Sequence, residues 1–165
     1  MRVLLIDDHT LVRKGLEQLL QSRGVEVAAS VSSGVEGIAQ AQALKPDIVL
    51  LDMKMPEMSG TETLKQLRAA GVMVPILMLT MSREEQDLQA ALRNGAQGYL
   101  LKDMDPEDLV PALQDALLGN NVVAKELIGS LTRLVQGQSG RSTTKTGSAD
   151  LLADLTPREL EILRH

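Results

Sequence analysis

The stretch Ile48-Val49-Leu50-Leu51-Asp52 places a carboxylate directly after four consecutive apolar residues. A short apolar run of this kind is typical of a strand that is covered on both faces of a sheet. Working outward, Val3-Leu4-Leu5-Ile6 has the same pattern and is followed by Asp7-Asp8. Further apolar runs predict strands at 25–31, 75–79 and 99–101. Segments with apolar residues at helical spacing separate or follow these runs, at 11–24, 33–44, 61–70, 83–93 and 106–118.

The helix boundaries carry local signals of their own. Asp105-Pro106-Glu107-Asp108 combines an N-cap aspartate, a proline at the first helical position and acidic residues in the first turn. Lys45-Pro46 ends the second helix, because a proline disfavours helical geometry in the residue before it. Five β-α units in strict alternation predict an α/β fold, a five-stranded parallel sheet with helices on both faces.

The chain changes character after the fifth unit. Residues 124–136 have apolar positions at helical spacing and predict a linker helix, whereas 136–150 are rich in Gly, Ser and Thr and predict a flexible linker. Leu155 to Leu163 begins a new capped helix shortly before the last residue. We therefore expect a first domain at 1–120, a linker helix and flexible linker at 121–154, and the start of a truncated second domain at 155–165.

Composition excludes several classes of function. The sequence has no cysteine and two histidines, which excludes disulfide scaffolds, thiolate zinc sites and cysteine nucleophiles. It has no apolar run of about 18 residues, so we expect no membrane span. Its N-terminus lacks a signal-peptide pattern, and a cytoplasmic location follows as an expectation. The net charge of −5 does not favour nucleic-acid binding by this chain itself.

Polar side chains follow four of the predicted strands. They are Asp7-Asp8, Asp52, Thr80 and Lys102. Ligands of open parallel sheets bind beyond the carboxyl ends of the strands, so these side chains should converge. Clustered carboxylates without cysteine favour a hard cation, and Mg²⁺ suits carboxylates, waters and a phosphate. Asp52 on the central strand is the natural nucleophile, because a carboxylate that attacks phosphorus forms an acyl phosphate.

This ordered set resembles the receiver domain of two-component response regulators, over residues 1–118, and the loop 52–60 resembles the loop after that family's phosphorylated strand. The resemblance implies a flavodoxin-like (CheY-like) fold and a phosphoryl group accepted on Asp52 from a sensor histidine kinase. It further implies Mg²⁺ held by Asp8 and Asp52, by Asp7 directly or through water, and by the backbone carbonyl of Lys54. Lys102 would pair with phosphoryl oxygens.

The same resemblance suggests a switch. Thr80 would move toward the phosphoryl group, and Tyr99, the only aromatic residue of the sequence, would swing inward with it. The alternative for Tyr99 is a half-buried strand residue with its hydroxyl in water. Lys54 and Ser82 stand two residues beyond Asp52 and Thr80, where the family tunes dephosphorylation, although the side chain of Lys54 is expected to point to solvent. His9 is interpreted as a helix-start residue that packs beside the acids, with a catalytic or phosphorelay role as the alternative.

The tail carries a second resemblance. Leu155 to Leu163 is similar to the start of the LuxR-type helix-turn-helix of the NarL/FixJ family, and 98–109 is similar to its nitrate/nitrite regulators. These resemblances imply a transcription regulator that is not an enzyme beyond its own phosphorylation and slow dephosphorylation. It would act on DNA through the effector domain of a full-length protein rather than through this chain. Dimerisation on phosphorylation is a further implication.

Three other readings compete with this one. The first is a Mg²⁺-dependent phosphohydrolase with an aspartyl-phosphate intermediate, although Asp7-Asp8-His9 departs from the D-x-D pattern of haloacid-dehalogenase-type enzymes. The second is a flavodoxin-like FMN carrier, which the single Tyr and the acidic first loop disfavour. The third is an interaction module that works without phosphorylation.

Overall fold

A computed structural model describes residues 1–129. In this part of the chain strands and helices alternate, as the periodicity predicts. The strands are β1 (Arg2–Ile6), β2 (Glu26–Val31), β3 (Ile48–Leu51), β4 (Ile76–Thr80), β5 (Gly98–Leu101) and β6 (Val122–Val123). The helices are α1 (Thr10–Ser22), α2 (Gly34–Leu44), α3 (Gly60–Ala69), α4 (Glu85–Arg93) and α5 (Pro106–Leu117). None of the helices in residues 1–129 is long and apolar enough to cross a membrane.

The strands form one parallel sheet in the order β2-β1-β3-β4-β5-β6. Alternating strand residues face two separate cores. One core contains Leu4, Ile6, Leu51 and Met78 with side chains of α3 and α4, and the other contains residues of α1 and α5. Both cores are almost wholly aliphatic, so the prediction of an α/β sheet covered on both faces is confirmed.

The sheet differs from the prediction in having a sixth strand. β6 is only two residues long, which is too short to produce a recognisable periodicity, and it pairs with Gly98 and Tyr99 on β5. It continues the sheet beyond residue 120, and a 3-10 turn at Lys125–Leu127 follows it. The predicted linker helix at 124–136 thus begins with this tight turn. Its remainder, the flexible linker and the residues at 155–165 lie outside the described residues.

The strand order sets the position of the site. The chain proceeds from β1 to β2 on one side and then returns to β3 on the other, so the direction of winding reverses between β1 and β3. Such a reversal opens a crevice at the carboxyl ends of the strands. Ile6 pairs with Leu51 in the ladder, and the Asp52 N–H donates to the Ile6 carbonyl over 2.9 Å. The residues that follow each strand, Asp7 and Asp52, therefore emerge side by side.

A close backbone contact fixes the loop after β3. The first residue of α3 is Gly60, and its N–H donates to the Met53 carbonyl over 2.9 Å. A Cβ atom at this position would lie 2.1 Å from the Asp52 carbonyl oxygen and 2.7 Å from the Met53 Cα. Helix α3 can therefore start against the backbone of Asp52 only because residue 60 has no side chain.

Candidate functional site

Five polar side chains meet at the carboxyl edge of the sheet, as the sequence predicts. Asp7, Asp52 and Thr80 are almost completely buried, with 4%, 3% and 1% of their surface exposed. The side chain of Asp8 is partly exposed. Lys102 directly follows β5, and its N–H donates to the Thr80 carbonyl over 2.8 Å, which holds the ends of β4 and β5 together.

The ammonium group of Lys102 bridges two of the carboxylates. Its Nζ lies 2.7 Å from Asp7 Oδ2 and 3.2 Å from Asp52 Oδ2, and its side chain is 7% exposed. The buried group of Asp7, Asp52 and Lys102 has two negative charges and one positive charge when all three are ionised. It therefore has one negative charge in excess, and Asp8 adds a second. A site of this composition attracts a further cation.

His9 provides another positive group when it is protonated. It is the N-cap of α1, and its N–H donates to Asp7 Oδ1 over 2.8 Å. The ring Nδ1 lies 3.1 Å from Asp7 Oδ1 and 3.3 Å from Asp8 Oδ1. It is also 3.8 Å from Asp52 Oδ2. This is the helix-start position beside the acids that the sequence predicts, although the close approach to all three carboxylates could not be derived from spacing.

The environment of Asp52 favours its protonated form. Burial raises the pKa of this carboxyl above its ordinary value, and the nearby charge of Asp7 raises it further. Lys102 opposes both effects through its charge and a hydrogen bond, and the Lys54 backbone N–H adds another hydrogen bond. Burial dominates, so the ionised form of Asp52 is held at a cost in folding free energy.

The donor set fits a divalent cation. Asp7, Asp8, His9 and Asp52 each offer one ligand atom, and these atoms all lie within 4.8 Å of one another. Within residues 1–129, Asp8 Oδ1 and Asp52 Oδ2 are buried oxygens whose hydrogen-bonding capacity is not filled, although His9 Nδ1 lies 3.3 Å from the first and Lys102 Nζ lies 3.2 Å from the second. Buried carboxylate oxygens are rarely left in this state, and oxygen ligands suit Mg²⁺. The role of the Lys54 backbone carbonyl as a further metal ligand stays a prediction from the family resemblance.

Tyr99 lies inward, under the loop that follows β4. Its side chain is fully buried, and its hydroxyl donates to the Ser82 carbonyl over 3.1 Å. The Ser82 N–H in turn donates to Thr80 Oγ1 over 3.2 Å. Burial raises the pKa of Tyr99 to about 12. The half-buried alternative, with a hydroxyl in water, is therefore wrong, because the side chain is fully buried and its hydroxyl donates to a backbone carbonyl.

A contact between the β3–α3 loop and α4 was not expected from the sequence. The Nζ of Lys54 lies 3.1 Å from Asp87 Oδ2, so this side chain is paired rather than simply directed into solvent. The Ser82 hydroxyl donates to the same oxygen of Asp87. The only advance signal is that Asp87 stands in the first turn of α4, where an acid is favourable for any helix. Its partners come from two other segments and depend on the tertiary fold.

The fold and the site together define a class of α/β domains with a buried acidic site at the carboxyl edge of a parallel sheet. The Response regulator receiver domain family matches residues 3–114, and the chain belongs to this family. It is 41% identical over 163 residues to the nitrate/nitrite response regulator protein NarL of Escherichia coli (strain K12), across 98% of this chain and 73% of that protein.

Solved structures agree with this assignment. A LuxR-family two-component response regulator from Aurantimonas sp. SI85-9A1 superposes with a TM-score of 0.76 at 30% identity, over 80% of this chain and 95% of that one. The signal receiver domain of a NarL response regulator from Mycobacterium tuberculosis superposes with a TM-score of 0.69 at 32% identity, over 72% and 97% of the two chains. The predicted family and the CheY-like fold are thereby confirmed.

Proposed function

We propose that this chain is the phosphorylation-controlled input part of a transcription regulator, with Asp52 as the phosphoacceptor. The observation that carries the proposal is the position of Asp52. It is a buried carboxylate next to Asp7, and its Oδ2 lies 3.2 Å from the Lys102 ammonium with capacity for a further ligand, in a chain of the receiver family. A sensor histidine kinase in the cytoplasm is the proposed donor.

The reaction needs little beyond positioning and charge neutralisation. An oxygen of the Asp52 carboxylate attacks phosphorus of the phosphohistidine, the P–N bond breaks, and its electron pair returns to the imidazole, which takes up a proton. Lys102 neutralises charge on the phosphoryl oxygens as they arrive. Asp8 and Asp52, with Asp7 directly or through water and the carbonyl of Lys54, would hold Mg²⁺, which supplies the remaining positive charge. The domain is then a self-modified acceptor rather than an enzyme with turnover.

The switch proposal uses contacts beside the acceptor. Movement of the Thr80 hydroxyl toward a phosphoryl group would break its bond from the Ser82 N–H and shift the carbonyl that accepts from Tyr99. β6 lies next to this switch, because the Ala124 N–H donates to the Tyr99 carbonyl over 2.9 Å. A change at Tyr99 therefore has a direct route to the segment that leads toward an effector domain.

The relatives suggest the output. The relative NarL is a nitrate/nitrite response regulator, and we propose by similarity that the full-length protein regulates transcription through a LuxR-type DNA-binding domain, in response to nitrate or nitrite. Dimerisation after phosphorylation is part of this proposal. The phosphohydrolase alternative is less favourable because Asp7-Asp8-His9 departs from the D-x-D pattern of such enzymes.

Intact mass spectrometry after incubation with acetyl phosphate and Mg²⁺ tests the proposal. We expect one added phosphoryl group on the wild-type chain, none on Asp52→Asn and none when the metal is chelated. Asp47→Asn is the matched control, because Asp47 stands exposed just before β3, at the opposite end of the same strand. An adduct that persists on Asp52→Asn contradicts the assignment of the acceptor. Steady release of phosphate from small esters would favour the hydrolase instead.

A further inference from the structure

Asp87 joins two side chains that flank the proposed acceptor. Its Oδ2 lies 3.1 Å from Lys54 Nζ and accepts the hydroxyl proton of Ser82. Lys54 and Ser82 stand two residues beyond Asp52 and Thr80, at the mouth of the site. One carboxylate on α4 therefore holds a cation and a hydroxyl that could otherwise reach a phosphoryl group on Asp52.

The backbone and the side chain of Lys54 contact different carboxylates. The backbone N–H of Lys54 is hydrogen-bonded to the Asp52 carboxylate, whereas its ammonium is paired with Asp87. The side chain of Lys54 is 64% exposed and that of Asp87 is 16% exposed, so the carboxylate is the fixed partner. An open cavity of about 500 Å³ lies along this contact, with Met53, Lys54, Pro56 and Asp87 among its lining residues.

We propose that Asp87 is a positioning residue that keeps the Lys54 ammonium away from the phosphoryl group and thereby shortens the lifetime of the phosphorylated state. This inference rests on the proposed function, because it requires an acyl phosphate on Asp52. It assigns to α4 a control over that lifetime through its contact with the loop after β3. Ser82 is held by the same carboxylate but carries no charge.

The direction of the effect follows from the hydrolysis step. Water attacks phosphorus, the bond between phosphorus and the Asp52 oxygen breaks, and its electron pair returns to the carboxylate. The water proton goes to solvent and inorganic phosphate leaves. The attacking water must lie roughly in line with the leaving Asp52 oxygen. A long side chain paired with the phosphoryl oxygens at the open side of the site hinders the approach of that water, so release of Lys54 from Asp87 slows hydrolysis.

The test compares the decay of the phosphorylated chain, followed by intact mass, in Asp87→Asn and wild type. An asparagine oxygen still accepts the Ser82 hydroxyl, but it no longer holds Lys54 by charge. We expect a lifetime about three- to fivefold longer, the factor typical of releasing one exposed ion pair. Asp87→Glu, which keeps the charge, should restore most of the short lifetime. Glu84→Gln is the matched control, because it removes the same charge from the N-cap of α4 and should leave the lifetime at the wild-type value.

The decisive comparison is made in a Lys54→Met background. There Asp87→Asn should change the lifetime by less than about 1.5-fold, because the cation through which it acts is gone. An equal effect in both backgrounds would show that Asp87 acts on the fold or on its own, and would overturn the inference. An unchanged lifetime in Asp87→Asn would also overturn it. If the wild-type chain accepts no phosphoryl group at all, the proposed function fails first and this inference fails with it.

Discussion

Replacement of Gly60 by alanine tests whether the start of α3 holds the acceptor in place. The new Cβ would lie 2.1 Å from the Asp52 carbonyl oxygen, whereas ordinary contact begins at 3.4 Å, a deficit of 1.3 Å. The other two close atoms, the Cα of Met53 at 2.7 Å and the carbonyl carbon of Asp52 at 2.9 Å, also belong to the backbone and cannot rotate away. Gly60 has no positive φ, so the requirement for glycine is the close approach alone. Either α3 or the residue that carries the nucleophile must move.

The magnitude follows from two opposing contributions. Overpacking against well-ordered structure costs about 1–3 kcal/mol, and backbone contacts belong at the upper end of that range. Alanine recovers up to about 1 kcal/mol through helix propensity and a less flexible unfolded chain. We therefore expect a net loss of about 1–2 kcal/mol, which lowers the Tm of a chain of this size by roughly 2–8 °C. Asp52 should also accept a phosphoryl group more slowly.

Gly15→Ala is the internal control. Gly15 lies in α1, and a Cβ there would meet no atom within 4 Å, so alanine should stabilise the chain by about 0.5–1 kcal/mol. Circular dichroism during thermal and urea unfolding measures both variants, and intact mass measures phosphorylation by acetyl phosphate. If Gly60→Ala were as stable as Gly15→Ala and equally fast to phosphorylate, the argument that this contact positions Asp52 would be refuted.

Three further predictions concern the charges and the tyrosine. Lys102→Met leaves Asp7 and Asp52 buried without their shared cation. It should lower the free energy of unfolding of the metal-free chain, measured in urea, by about 3–5 kcal/mol. A loss below about 1 kcal/mol would contradict the pairing. The pKa of Asp52 is higher in the folded chain than in the unfolded chain. The contribution of Asp52 to the free energy of unfolding is therefore most favourable below about pH 4, and it declines as the pH rises toward the pKa of the folded state. Asp52→Asn should therefore be more stable than wild type at neutral pH in a chelator, with the difference vanishing in acid; the opposite trend would contradict the burial argument. Tyr99→Phe should lose about 0.5–1.5 kcal/mol with its hydrogen bond. In the wild type, absorbance should report tyrosinate near pH 12 rather than 10 while the chain stays folded.

The fold could be predicted from the sequence because each β-α unit has a local sequence pattern that indicates it. Apolar runs such as Ile48–Leu51 mark strands buried on both faces, and parallel strands bring their carboxyl ends to one edge whatever the details of packing. The convergence of Asp7, Asp52, Thr80 and Lys102 could therefore be predicted without any measured distance. β6 was not predicted because a strand of two residues is too short to show a hydrophobic periodicity. It is recognised only by its parallel pairing with β5.

The contacts of individual side chains could not be predicted in the same way. Lys54 is exposed by any sequence criterion, and its pairing with Asp87 depends on how α4 packs beside the loop after β3. For Tyr99, likewise, the sequence alone is compatible with a strand residue whose polar end reaches water. Its complete burial within the core and the hydrogen bond from its hydroxyl to the Ser82 carbonyl depend on tertiary packing.

The isolation of Tyr99 gives the molecule an optical property. The sequence has no tryptophan or phenylalanine and no other tyrosine, so a single phenol is responsible for its near-ultraviolet absorption, circular dichroism and fluorescence. That chromophore sits in the rigid interior, with its hydroxyl fixed to the loop that leads from Thr80 to α4. A spectrum of the unlabelled protein thus records the state of one side chain beside the acidic site, without the averaging over many aromatic residues that obscures such signals in most proteins.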